Sequence, residues 1–138
     1  MGKKGGLTSQ AKRKKKIDDT KQDSNMTSLE VIVEAILEKK GTGVIDIDLS
    51  DLENSICDRF IIANADSTTQ VAAIADNVED KMIENLRTKV LRRSGNENAL
   101  WIILDYGDTM VHIFQTEYRN FYRLEELWSD GIITSHEE

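Results

Sequence analysis

From residue 27 onward the apolar positions of the chain change period several times, and each change marks an element. "TSLEVIVEAILEKKG" places Leu29, Ile32, Val33, Ile36 and Leu37 at i, i+3, i+4, i+7 and i+8, the stripe of an amphipathic helix. Thr27 and Glu30 form a capping-box signature in front of it, and Gly41 is expected to end it. "GVIDIDLS" then alternates, with Ile45, Ile47 and Leu49 on one side and Val44, Asp46 and Asp48 on the other, which predicts a half-buried strand. "RFIIANA", residues 59–65, is a second strand with both faces apolar at its centre.

"STTQ", residues 67–70, repeats the capping signature, and Val71, Ile74, Ala75, Val78, Met82 and Leu86 run down one face of the long helix it opens. "KVLRR" predicts a short strand. "ALWIILDYGDTMVHIFQ" predicts a hairpin, because two apolar runs flank Tyr106-Gly107-Asp108 and the glycine can supply the positive φ of a tight turn. The order αββαβββ, closed by a short acidic and aromatic helix, indicates an α/β or α+β domain with a mixed sheet and two long helices on one face.

The second face of that sheet then needs a cover. Met110, His112 and Phe114 point away from Val111 and Ile113, so both faces of the last hairpin strand are apolar. Either the C-terminal segment folds over this face or another protein does. The segment supplies Phe121, Leu124 and Trp128 at i, i+3 and i+7, flanked by Tyr118 and Tyr122, with Glu117, Arg119, Arg123, Glu125 and Glu126 among them. Aromatic rings mixed with arginine are the composition of binding hot spots, and this stretch reads as an interface.

Charge changes the picture at the other end. The net −7 of the 138 residues divides unevenly. Residues 1–25 hold eight Lys or Arg against three Asp, a net of +5, whereas residues 26–138 hold ten against twenty-two, a net of −12. The first 26 residues carry too few apolar side chains to offset the entropy of ordering them and are read as a disordered basic tail; residues 27–131 form the domain, and residues 132–138 a short C-terminal tail. Lys12, Arg13, Lys14, Lys15 and Lys16 are candidate RNA contacts, since clustered cations neutralise phosphates without regard to base sequence. Gly6 stands where a myristoylation signal wants Ser or Thr, and the tail has no apolar signal-peptide core. No apolar run is long enough for a membrane span, and the single Cys57 has no disulfide partner and no metal-ligand spacing with His112 or His136. A cytoplasmic protein without metal or cofactor is expected.

Two residue pairs have the composition of catalytic groups. Asp46-x-Asp48 could hold Mg²⁺ and a triphosphate for nucleotidyl transfer, but no Gly-Ser phosphate loop precedes it, and an ordinary solvent-facing strand edge is the favoured reading. His112 with Asp105 as its orienting carboxylate lacks a placed nucleophile, so His112 is read as facing a partner.

"NSICDRFIIANADSTTQVAAIAD", Trp101 six residues after a glycine, and "LDYGDTMVHIFQTEYRNFYRLEELWSD" resemble the ribosomal silencing factor family, also called Iojap-like, over roughly residues 28–131. The matching positions are Trp101, Leu104-Asp105, Gly107-Asp108, Val111 to Phe114, Arg119, Phe121-Tyr122, Leu124-Glu125 and Leu127-Trp128, with Asp58, Phe60, Ser67 and Gln70 upstream. "RSGNENALW" differs from the acidic-Gly segment of the family pattern, and the basic tail lies outside it. The resemblance implies a nucleotidyltransferase-like topology without the catalytic elements. It also implies a non-enzymatic factor that binds the large ribosomal subunit at the universal large-subunit protein fourteen and blocks joining of the small subunit, repressing translation when nutrients fall. Trp101, Asp105, His112, Phe114, Arg119, Tyr122, Glu125 and Trp128 are the expected partner-binding residues, and a homodimer off the ribosome is also implied.

Overall fold

The computed structural model describes residues 26–137. Ten elements follow in order: α1 (Ser28–Glu38), β1 (Thr42–Asp48), β2 (Arg59–Ala65), α2 (Thr68–Leu86), β3 (Arg92–Ser94), β4 (Trp101–Asp105), β5 (Thr109–Gln115), α3 (Thr116–Tyr122), α4 (Leu124–Leu127) and β6 (Ile132–His136). The strands form one mixed sheet in the order β3-β4-β5-β2-β1-β6, in which only the central β2–β5 pair is parallel. The α/β class and mixed sheet expected from the pattern are present.

Both helix starts form as the capping signals suggest, though not identically. The Thr27 hydroxyl accepts from the Glu30 amide at 3.1 Å while the Glu30 carboxylate accepts from the Thr27 amide at 2.9 Å, a complete capping box. At α2 only half of it exists. Ser67 Oγ accepts from the Gln70 amide, but the Gln70 side chain donates to the carbonyls of Lys39 and Lys40, tying the start of α2 to the end of α1. The left-handed residue ending α1 is Lys40, with φ of 68°, rather than Gly41. Gly41 is needed for space, because a Cβ there would strike the Ile36 side chain.

α1 and α2 lie antiparallel on one sheet face. Val31 and Ala35 are buried along with the anticipated stripe, since α1 packs against both the sheet and the flank of α2. Asn77, buried on α2, donates to the Ala35 carbonyl at 2.9 Å and to Glu38 at 2.8 Å, a polar link inside an otherwise apolar seam. Ile61, Ala63, Ile102, Leu104, Val111 and Ile113 are the sheet's contribution to this core. The β4–β5 turn is tight as expected, with Gly107 at φ of 94° and Asp105 Oδ1 accepting from its amide at 2.8 Å.

Two expectations are corrected. The segment read as a tail from residue 132 is largely strand β6, paired antiparallel with β1 in the register Asp46↔Thr134 and Ile47↔Ile133. Its side chains are mostly exposed, so no apolar pattern announces it; the β1 edge and its unpaired backbone groups recruit it. Asp46 is not a solvent-facing edge residue either. It is 2% exposed, with Oδ1 accepting from Arg59 Nη1 at 2.6 Å and Oδ2 at 2.5 Å from His136 Nε2, so both oxygens are engaged across three strands. Asp48 instead caps the following turn through the amide and hydroxyl of Ser50, and these hydrogen bonds hold its pKa below the usual carboxylate value.

Candidate protein-interaction site

The second sheet face is built from the alternate residues of the same strands: Trp101 on β4, Met110, His112 and Phe114 on β5, Phe60 and Ile62 on β2, Ile45 and Ile47 on β1. α3 and α4 fold over it, as one of the two expected covers. Gln115 starts α3 by accepting from the amides of Glu117 and Tyr118. Arg123 then takes φ of 50° and breaks the helix after seven residues. This break disrupts the continuous stripe read from Phe121, Leu124 and Trp128. Leu124 and Trp128 turn toward the sheet, where Trp128 meets Phe60 edge-on at 5.5 Å, while Phe121 turns outward.

Arg119 fastens the cover. Its Nη1 donates to the Gly43 carbonyl at 2.5 Å and to Asn64 Oδ1 at 2.8 Å, and its Nε lies 3.6 Å from Glu125 Oε2. Asn64 completes the joint by donating to Thr42 and Thr116. Burial pulls the Arg119 pKa below its ordinary value, opposed by Glu125, and the guanidinium stays charged at neutral pH. Arg119, expected to touch a partner, therefore spends its guanidinium on holding α3 against β1 and β2, while Glu125 pairs with it through Oε2 and leaves Oε1 without a hydrogen-bond partner among the described residues.

His112 is only 4% exposed and does not reach the surface. Its Nδ1 accepts from the indole N–H of Trp101 at 3.1 Å, which places the ring proton on Nε2, and Nε2 has no hydrogen-bond partner among the described residues. Phe60 packs edge-on to the ring at 4.6 Å. Burial disfavours the imidazolium and lowers the pKa to about 4. Phe114 is likewise fully buried, stacked under Trp101 at 4.7 Å. Asp105 faces Met110 rather than His112 across the hairpin, so the His–Asp couple does not form.

What reaches solvent is a ridge on top of these rings. Tyr122, 45% exposed, leans on Trp101 at 5.1 Å, and Phe121 stands beside it at 79% exposure; Leu127 on α4 is 76% exposed. The spacing of Phe121, Leu124 and Trp128 predicts one continuous stripe, and the left-handed Arg123 that turns Phe121 outward carries no signal in the local sequence. Among the expected partner residues, Tyr122, Trp101, Trp128, Asp105, Glu125 and, least, Arg119 keep accessible surface, whereas His112 and Phe114 support them from below.

The model of the family described as "Ribosomal silencing factor during starvation" matches residues 21–138. The chain belongs to the ribosomal silencing factor family. Among its relatives, the ribosomal silencing factor of Halalkalibacterium halodurans is 35% identical over 108 residues, covering 78% of this chain and 91% of that one. The one from Haemophilus influenzae is 34% identical and aligns over its whole length with 75% of this chain. A crystal structure of a Chromobacterium violaceum protein superposes with a TM-score of 0.70 at 33% identity, covering 74% of this chain and 83% of that one. The family match begins at residue 21, so the candidate RNA contacts Lys12, Arg13, Lys14, Lys15 and Lys16 lie outside it, and outside the described residues. Among the described residues no helix is long and apolar enough to cross a membrane, and no three His, Cys, Asp or Glu side chains group as a metal site.

Proposed function

We propose that this silencing-factor family member acts in the cytoplasm without catalysis. It binds the large ribosomal subunit at the universal large-subunit protein fourteen on the intersubunit face, and its bulk keeps the small subunit from joining, lowering translation during nutrient limitation. The observation that carries this is the ridge of Phe121 and Tyr122, rings left exposed on aromatic supports that are themselves packed, with Leu127 of the following helix exposed as well. The net charge of −12 over residues 26–138 suits a basic ribosomal surface by speeding encounter. In this reading the clustered cations Lys12 to Lys16 add a contact to rRNA, and a second copy occupies the same ridge in the free protein.

Sedimentation of purified subunits through sucrose gradients, with and without the protein, tests the reading. Travel with the large subunit and a fall in joined ribosomes is expected. A protein that stays at the top of the gradient and leaves joining unchanged overturns it.

A further inference from the structure

β2 and β5 are adjacent and parallel, yet the helices that follow them leave to opposite faces, α2 to one and α3 to the other. Such a divergence opens a crevice at the carboxyl ends of the strands. A cavity of about 680 Å³ lies there, lined by Asp66, Leu100, Glu117, Tyr118 and Phe121. Neither Asp66 nor Glu117 forms an ion pair with a cation among the described residues. Asp66 Oδ1 accepts from Thr116 at 2.7 Å, which holds that carboxylate at the rim. Two carboxylates beside two aromatic rings fit the head and stem of a lysine or arginine, by ion pairing and cation–π attraction.

The same chain carries such an occupant. Residues 1–25 join the body at Met26, which packs on the helix-face core, and hold "KRKKK" at Lys12 to Lys16. From Lys16 to Met26 is ten residues, a reach of up to about 33 Å. α1 is about 16 Å long, and its far end is tied to the start of α2 through Gln70, next to the crevice. The crevice is within reach, and tethering turns a weak contact into an intramolecular one at an effective concentration of about a millimolar.

We propose that in the free protein the basic cluster Lys12 to Lys16 docks into the Asp66–Glu117 crevice. The docked segment lies against Tyr118, whose ring is 5.3 Å from that of Tyr122, so it borders the exposed ridge, and a polyanion such as RNA would compete for it. This docking does not depend on the ribosomal reading.

The test uses the full chain with a nitroxide on Ser9→Cys; Cys57 is buried and its thiol is pushed up by burial, so the new cysteine is the one labelled. At low salt, amides of residues 66–68 and 115–121 should lose more than about half of their NMR intensity, and recover near 0.5 M NaCl, where screening acts over about 4 Å. Recovery is also expected with Glu117→Gln, with Asp66→Asn, and when Lys12, Arg13, Lys14, Lys15 and Lys16 are all changed to Gln, a set that leaves the body untouched. No broadening at low salt overturns the proposal. So does broadening centred on Glu34 and Glu38 of the α1–α2 surface, or broadening that persists in the five-Gln chain.

Discussion

The two faces of the sheet draw on the same strands and end differently. On one face α1 and α2 close the core so fully that Val71, Ile74, Ala75, Val78 and Met82 are all buried. On the other, α3 buries none of its residues and α4 only Leu124, so the cover is held by Arg119 and by ring contacts, with Phe121 and Leu127 left in solvent. Apolar strand residues on both sides thus do not imply two equivalent cores. The long helices stabilise the fold, and the short ones present a surface.

Substitutions should separate the faces, beginning with the helix side. Ile74→Ala removes a fully buried side chain and should cost about 4 kcal/mol in urea unfolding; a loss under about 1 kcal/mol would mean that this face is as loosely packed as the other. On the second face, the His112 pKa is depressed to about 4 in the folded chain against an ordinary 6.5. The fold is therefore favoured by neutral His112 above pH 6.5 and loses up to about 3 kcal/mol as pH falls through 6.5 toward 4, where the unfolded chain binds the proton first. His112→Phe should flatten that part of the pH–stability curve. A slope unchanged by the substitution would show that other groups carry the acid sensitivity.

Arg119→Ala strands the Gly43 carbonyl and Asn64, and should cost about 2 kcal/mol. The comparison predicts more than a loss of stability: hydrogen exchange should accelerate in α3 and α4 while α1 and α2 stay protected. Uniform acceleration would mean that the two faces unfold together. The smallest stability effects are expected at the ridge, where Phe121→Ala should change unfolding by less than about 0.5 kcal/mol and Tyr122→Ala, which also removes ring contacts with Trp101 and Tyr118, by about 1 kcal/mol. Either one should nonetheless weaken large-subunit binding by about 2 kcal/mol if its ring is a hot spot, seen as loss of cosedimentation. Wild-type cosedimentation by both folded variants would remove the ridge from the proposed interface.

Much of this was legible along the chain because it rests on local physics. The capping box at Thr27, the apolar faces of α1 and α2, and the glycine turn between β4 and β5 each need only neighbours within a few residues. The resemblance includes four rings that are neighbours in the fold, for His112, Phe114 and Tyr122 each pack against Trp101. It could not assign their depth, since exposure is decided by what the rest of the chain lays on top.

By itself, then, the sequence determined the element order as far as β5, the two apolar faces of the strands, the opposite charges of the basic N-terminal segment and acidic body, and membership of a family. Only the tertiary structure decided that His112 and Phe114 lie beneath the surface while Phe121 stands out, that Arg119 is a clamp, and that Ile132–His136 is a strand. Periodicity and capping are interactions along the backbone and leave their mark in local spacing. Burial, the pairing of Asp46 with His136 ninety positions away, and the recruitment of an edge strand depend on contacts between distant segments, which no local pattern encodes.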